Sequence, residues 1–369
     1  MTLKVYCDRR YLPQGCEHVE MMYPYWGRPP GSGTLLEPHI FVRYSECGRQ
    51  LFTLSSLHDA DIAVFPAEWP GVGLDGEWLS QARRLAAAAG EAQKAFVVFA
   101  RGDLHWKASI FENAWVFGRS LHRSERAPRQ FAIPVWVDDY LARYEGGRLP
   151  LRTWTPVPTV GFCGYAKPWY LKHRVRDAAE TLLGRVGIGP FDSERAPSCA
   201  HLFEGWRMRA ATLRRLTKRK AVKTNFIVRR DYWNGVFEPD GVPDEEKWAA
   251  SRREFLDNMF KSDYVLCIRG TENYSDRLYE TLCCGRIPVV VDTDCVLPFH
   301  EDPEWRRMCV WIRADELDAV ADRLLAFHQS LSPAQFAELQ RACRTYWEQR
   351  LSPHGFFSCF ETFFARSRR

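Results

Sequence analysis

Residues 262–299 read SDYVLCIRGTENYSDRLYETLCCGRIPVVVDTDCVLPF. The run at 264–268, YVLCI, is apolar throughout and reads as a buried strand. Arg269-Gly270 follows, the glycine permitting a tight turn. Ser275 then occupies a helix N-cap position. Leu278 and Leu282, four residues apart, give the following helix one apolar stripe. Gly285 ends that helix, and IPVVV at 287–291 is a second buried strand. The unit is strand–loop–helix–strand, with a right-handed crossover. Ligands of such units gather outside the carboxyl ends of the strands. There the helix N-terminus offers free N–H groups and the positive end of its dipole. Arg269 and Arg277 bracket that terminus and form a candidate diphosphate cradle, because guanidinium binds phosphate in a forked geometry. Glu280, further along the helix, is a candidate acceptor for two ribose hydroxyls. The plainer alternative is a βαβ unit whose Arg277 and Glu280 pair at its surface.

The same alternation extends outward in both directions. Strands are read at 3–7, 61–66, 95–100 and 131–137, with Pro134 placing the last at an edge. A helix is read at 78–89, stopped by Gly90. Residues 146–158 carry two Gly and three Pro with little periodicity and read as a linker. Beyond it come a strand at 159–163, a helix at 172–183, an amphipathic helix at 202–216, a strand at 224–228 and a helix at 248–259. The tail, 333–364, reads as helical. This is α/β repetition with mainly parallel sheets. The expected division is 1–150, 151–332 and a C-terminal helical segment, 333–369.

The pattern in 262–299 resembles the C-terminal signature of the exostosin-type glycosyltransferases, family 47. An apolar strand, Arg269-Gly270, Ser275-x-Arg277-Leu278-x-Glu280, Gly285, Ile287-Pro288-Val289 and Leu297-Pro298-Phe299 match at fixed spacing. Weaker echoes lie in DADIAVFP (59–66), VGFCGYAKPWYLKHRVR (160–176) and ARGDLHW (100–106). In the last, Leu104 separates Asp103 from His105, a departure from the family's G-x-D/N-H element. The resemblance implies a GT-B architecture, two Rossmann-like domains facing a cleft. It implies transfer of a sugar from a nucleotide diphosphate, with a UDP-sugar as donor, to a glycan or lipid-linked glycan. Inversion, no tightly bound metal and no further cofactor are also implied, as is a final helix that returns to the first domain.

Within that frame Arg269, Gly270, Ser275, Arg277 and Glu280 are the expected nucleotide-sugar contacts. Without a metal, arginines and a helix terminus must neutralise the leaving diphosphate. Arg174 or Arg176 is a further phosphate candidate, and Arg229 or Arg230 ends a strand where a ligand would lie. Asp103 or His105, following the strand at 95–100, is the candidate general base, His having the better intrinsic pKa. Asp292-x-Asp294 after an apolar strand would suit a metal-dependent GT-A enzyme. It falls, however, inside the exostosin-like frame.

Composition sets the outer limits. At 369 residues, with 46% hydrophobic and 26% charged positions, the chain has room for two ordinary domains, and a disordered or coiled-coil chain is excluded. No apolar run approaches the roughly 20 residues of a membrane span. Charges in 1–10 argue against a secretory signal. None of the 12 cysteines forms a C-x-x-C pair, which argues against zinc or redox motifs and for a reducing, cytoplasmic setting. Net charge is +5, yet residues 206–230 hold ten basic residues and no acid, so the rest of the chain is net acidic. The basic helix within 202–220 could be a solvated face, a peripheral contact with an anionic membrane, or a nucleic-acid contact. No recognition motif supports the last. Two further readings remain open here: a catalytically inactive sugar-nucleotide-binding partner, and a metal-dependent transferase using Asp292 and Asp294.

Overall fold

The computed structural model describes residues 2–29, 39–69, 76–100, 114–166, 197–229, 231, 234–237 and 241–365, with 197–204 described as backbone only. The chain forms two compact units. The first comprises Met1–Gly147, Asp294–Pro303 and Arg344–Arg369; the second comprises Arg148–Thr293 and Glu304–Cys343.

The first unit is built on six parallel strands: β1 (Leu3–Tyr6), β2 (Phe52–Leu54), β3 (Ile62–Val64), β4 (Ala95–Phe99), β5 (Trp115–Gly118) and β6 (Gln130–Ala132). Their order is β2-β1-β3-β4-β5-β6. Alternate residues point to opposite faces. Ala63, Phe96, Val98 and Val116 meet Ala82, Leu85 and Ala89 of the Gly76–Glu91 helix. Ile62, Val64, Val97 and Phe99 turn the other way, towards Phe356, Phe357, Phe360 and Phe364 from the C-terminal helices. Phe99 stacks on Phe360 with ring centroids 5.9 Å apart. With both faces covered, the strands carry continuous apolar runs rather than alternating ones.

The second unit has five parallel strands: β7 (Thr159–Tyr165), β8 (Lys223–Arg229), β9 (Tyr264–Cys267), β10 (Ile287–Asp292) and β11 (Val310–Arg313), in the order β11-β10-β9-β7-β8. Val160, Phe162, Leu266, Val289 and Ile312 share a core with Leu213 and Leu216 of the Pro197–Lys218 helix. Gly161 lets the opposite face come close to the end of the Glu245–Phe260 helix. A Cβ there would lie 2.2 Å from Ser262 Oγ. Counted from its own first strand, each sheet runs second, first, third, fourth, fifth, and the first sheet adds a sixth. That is a doubly wound order, with a switch point between the first and third strands. The expected α/β class, with two parallel sheets, is what the structure shows.

Differences from the sequence reading are local. The strand expected at 131–137 is confined to Gln130–Ala132. β2, β5 and β11, of three or four residues each, are additional strands. The tail is helical but interrupted by a π-helical turn, Trp347–Leu351. The helix expected at 172–183 lies outside the described residues. Among the described residues no helix is long and apolar enough to cross a membrane.

Candidate nucleotide site

The switch point of the second sheet lies between β7 and β9. After β7 the chain crosses to β8 on one side; after β9 it crosses to β10 on the other. The two carboxyl ends therefore open a crevice. The residues at those ends are Cys163–Ala166 and Ile268–Gly270. The Asp276–Cys283 helix begins in the loop beyond β9.

Arg277, in the first turn of that helix, reaches back to β7. Its Nη2 donates to the Cys163 carbonyl at 2.5 Å, and its guanidinium carbon lies 4.6 Å from the Phe162 ring centre. Gly164 makes this reach possible, since a Cβ there would come within 2.7 Å of Arg277 Nη2. Arg277 and Glu280 have separate partners. Glu280 Oε1 accepts from Arg252 Nη1 at 3.2 Å, both side chains being 12% exposed. The Arg252 guanidinium carbon lies over Trp248, 4.6 Å from its ring centre. The surface Arg277–Glu280 pairing weighed above is thus replaced by two inward contacts.

Arg269 is 5% exposed and folds into its own loop. Its Nη2 donates to the Thr271 carbonyl at 2.8 Å and its Nη1 to Asn273 Oδ1 at 3.3 Å, an oxygen that also accepts from Thr293 Oγ1 at 2.8 Å. Its guanidinium shapes the loop that leads into the helix. Ser275 occupies the N-cap position, with φ −135° and ψ 114°, but its side chain makes no capping hydrogen bond. Arg229, at the end of β8, donates to the Ser251 carbonyl at 2.8 Å and to Glu254 Oε2 at 2.9 Å, tying the strand to the Glu245–Phe260 helix. Burial pushes the Cys163 thiol up, while Arg229 and Arg277 pull it down less strongly. Asp103, His105, Arg174, Arg176 and Arg230 lie outside the described residues.

The structure adds residues that the sequence reading did not name. Arg209 comes from the basic helix but is buried at 9% exposure. Its Nη2 and Nε donate to the Ile268 carbonyl at 3.0 and 3.3 Å, and its Nη1 donates to the Tyr165 carbonyl at 3.1 Å. One guanidinium thereby bridges the ends of β7 and β9. A Cβ on nearby Gly205 would lie 2.1 Å from the Gly270 carbonyl oxygen, so the helix backbone presses directly on the turn after β9. Arg209 was legible: 206, 209, 213 and 216 form one helical stripe, and an arginine on it must point inward. Arg252 and Glu254 carried no such signal, being ordinary charges on a polar helix.

Elsewhere in the basic segment, Arg215 pairs with Asp318 at 2.5 Å and Arg219 with Asp322. Arg207, Lys218 and Lys220 are exposed. Asp294, at φ 64°, accepts from Ser124 N and Oγ at 3.1 and 2.5 Å. Among the described residues no group of three or more His, Cys, Asp or Glu is placed to hold a metal.

This arrangement offers a helix N-terminus, Arg277 beside the end of β7, and a carboxylate held by Arg252. It can meet an anionic diphosphate and accept hydrogen bonds from hydroxyls.

The comparisons bear out the exostosin resemblance. Exostosin-2 of Bos taurus is 29% identical over 116 residues, 30% of this chain and 15% of that protein. Exostosin-2 of Homo sapiens is 30% identical over 88 residues, 24% and 12% of the two chains. A probable glucuronosyltransferase of Oryza sativa subsp. japonica is 32% identical over 63 residues, 17% and 15%. The matched region thus spans less than a fifth of the length of these curated relatives. No family model matches. Among solved structures, Anabaena HepE in complex with UDP aligns over 85% of this chain and 80% of its own, with TM-score 0.33 and 12% identity.

Proposed function

We propose that the protein is a nucleotide-sugar glycosyltransferase that binds its donor at the β7/β9 switch point of the second unit. The observation that carries this reading is the convergence of Arg277, Arg209 and the Asp276–Cys283 helix N-terminus on the carboxyl ends of β7 and β9. This occurs within the segment whose residues match the exostosin signature. Arg277 supplies positive charge for the departing diphosphate, and Glu280, fixed by Arg252, accepts from the ribose hydroxyls. The resemblance supports a UDP-sugar as donor, inversion, and no requirement for metal. Asp103 or His105 is assigned as the base that takes the acceptor proton.

The acceptor is a glycan or lipid-linked glycan. Exposed Arg207, Lys218 and Lys220 are the part of 202–220 that would meet an anionic membrane surface, and flotation with anionic vesicles tests that contact.

The test is a panel of UDP-, GDP- and CMP-sugars, with and without EDTA, scored by released nucleotide. Hydrolysis of one donor that survives EDTA and is lost in Arg277→Ala and Glu280→Ala is the expected result. EDTA-sensitive turnover would transfer the proposal to Asp292 and Asp294. Nucleotide binding without turnover, once acceptors are supplied, would leave a binding partner rather than an enzyme.

A further inference from the structure

The first unit contains a cavity of about 530 Å³, within the size range of small-molecule sites. Three segments wall it: the Val42–Cys47 helix with His39 and Ile40 ahead of it, the stretch 137–143, and the stretch 347–354. The last includes the π-helical turn Trp347–Leu351, a form that recurs at functional sites. Ile40, Val42, Val137, Ala142 and Pro353 supply apolar surface.

The acids of the 137–143 and 347–354 walls are already answered. Asp138 Oδ2 accepts from Arg143 Nη1 at 2.7 Å. Arg344 donates to Asp139 Oδ2 at 2.8 Å and to Glu348 Oε1 at 2.7 Å. Arg43 and His354 differ. Neither side chain makes a hydrogen bond or ion pair among the described residues, although both line the cavity. Glu46, one turn along the helix from Arg43, is not paired with it. The proton affinity of His354 is lowered, first by burial and then by the charge of Arg43. Two cation-capable groups thus face one cavity and repel each other. An oxyanion accepting from both would turn that repulsion into attraction. The apolar wall favours a ligand with an organic portion over a bare inorganic ion.

We propose that this cavity binds a small organic oxyanion, a carboxylate or a phosphate monoester, held by Arg43 and His354 with its apolar part against Ile40, Val42 and Val137. The proposal is independent of the donor site in the second unit.

The test follows the His354 imidazole by NMR across a pH titration of the full chain, alone and with phenyl phosphate, phenylacetate or inorganic phosphate. Glu46, Glu348, His39 and Arg143 also line the cavity, so the ligand effect is read as a difference at fixed salt. Phenyl phosphate or phenylacetate should raise the His354 pKa saturably and at lower concentration than inorganic phosphate. Whichever binds more tightly identifies the phosphate or the carboxylate as the source. Arg43 is exposed, so Arg43→Gln should fold. It should raise the ligand-free His354 pKa, because a like charge is gone, and weaken the organic anion at least tenfold. A His354 titration unmoved by all three probes would overturn the proposal. So would unchanged anion affinity in Arg43→Gln, or inorganic phosphate binding as tightly as the organic anions.

Discussion

Gly205→Ala is the sharpest structural perturbation available at the switch point. The added Cβ would lie 2.1 Å from the Gly270 carbonyl oxygen, 2.7 Å from the Arg269 carbonyl oxygen and 3.0 Å from Gly270 C. Ordinary contact begins near 3.4 Å, so the nearest approach is more than 1 Å too short. The obstructing atoms are backbone at the start of the loop that Arg269 braces, and no flexible side-chain end can swing away. Either the Pro197–Lys218 helix retreats, pulling Leu213, Leu216 and Arg209 with it, or the 269–270 turn is displaced. Overpacking of this kind costs about 1–3 kcal/mol. At about 2–4 °C per kcal/mol for a domain of 150–250 residues, the unfolding midpoint of the second unit should fall by about 2–12 °C. Gly90→Ala is the control. That glycine is inside the Gly76–Glu91 helix with nothing within 4 Å of its Cβ position, and alanine should stabilise by up to about 1 kcal/mol. Circular dichroism melts of both variants read the two signs directly. A Gly205→Ala midpoint equal to or above wild type would refute the packing of helix on turn, and with it the route by which Arg209 reaches Ile268.

Three other outcomes follow from the same geometry. Arg252→Met removes the ion pair at Glu280 Oε1 and should destabilise by about 3 kcal/mol in urea unfolding; adding Glu280→Gln should recover part of that loss, and a fully additive double variant would contradict the pairing. Gly164→Ala drives a methyl into Arg277 Nη2 at 2.7 Å and should weaken nucleotide binding at least tenfold, checked by calorimetric titration. His18 and His354 both have proton affinities lowered by burial in the folded chain. The unfolded chain then binds more protons as pH falls below about 6.5, so unfolding free energy should decline from that pH downward. His354→Gln should flatten the decline, whereas stability that rises on acidification from pH 7 to 5 would reverse the sign of both shifts.

Much of the fold was legible because buried parallel strands write themselves as apolar runs. DIAVFP, AFVVF, YVLCI and IPVVV each mark a strand of one of the two sheets. What escaped were Phe52–Leu54, Trp115–Gly118 and Val310–Arg313. Length alone does not set them apart, since Ile62–Val64 and Tyr264–Cys267 are as short; their pairing is set by neighbours far away in sequence. The site divides in the same way. Arg277 and Glu280 could be picked out because they sit at helix positions one turn apart after a strand and a glycine turn. Their partners could not. The Cys163 carbonyl lies 114 residues from Arg277, and Arg252 lies 28 from Glu280. Arg209 was available from its place on the Trp206–Leu213–Leu216 stripe but was absorbed into a count of basic residues. Ser275 shows the opposite limit: the sequence located the cap position, while the hydroxyl bond that usually accompanies it is not made.

The central claim is that the β7/β9 switch point binds a nucleoside diphosphate through Arg277. Calorimetric titration of the full chain with UDP, GDP and CMP tests it most directly, with Arg277→Ala alongside. The account predicts saturable binding of one nucleotide, UDP, reduced at least tenfold in the variant. Absence of binding by all three, or equal affinity in Arg277→Ala, would contradict it.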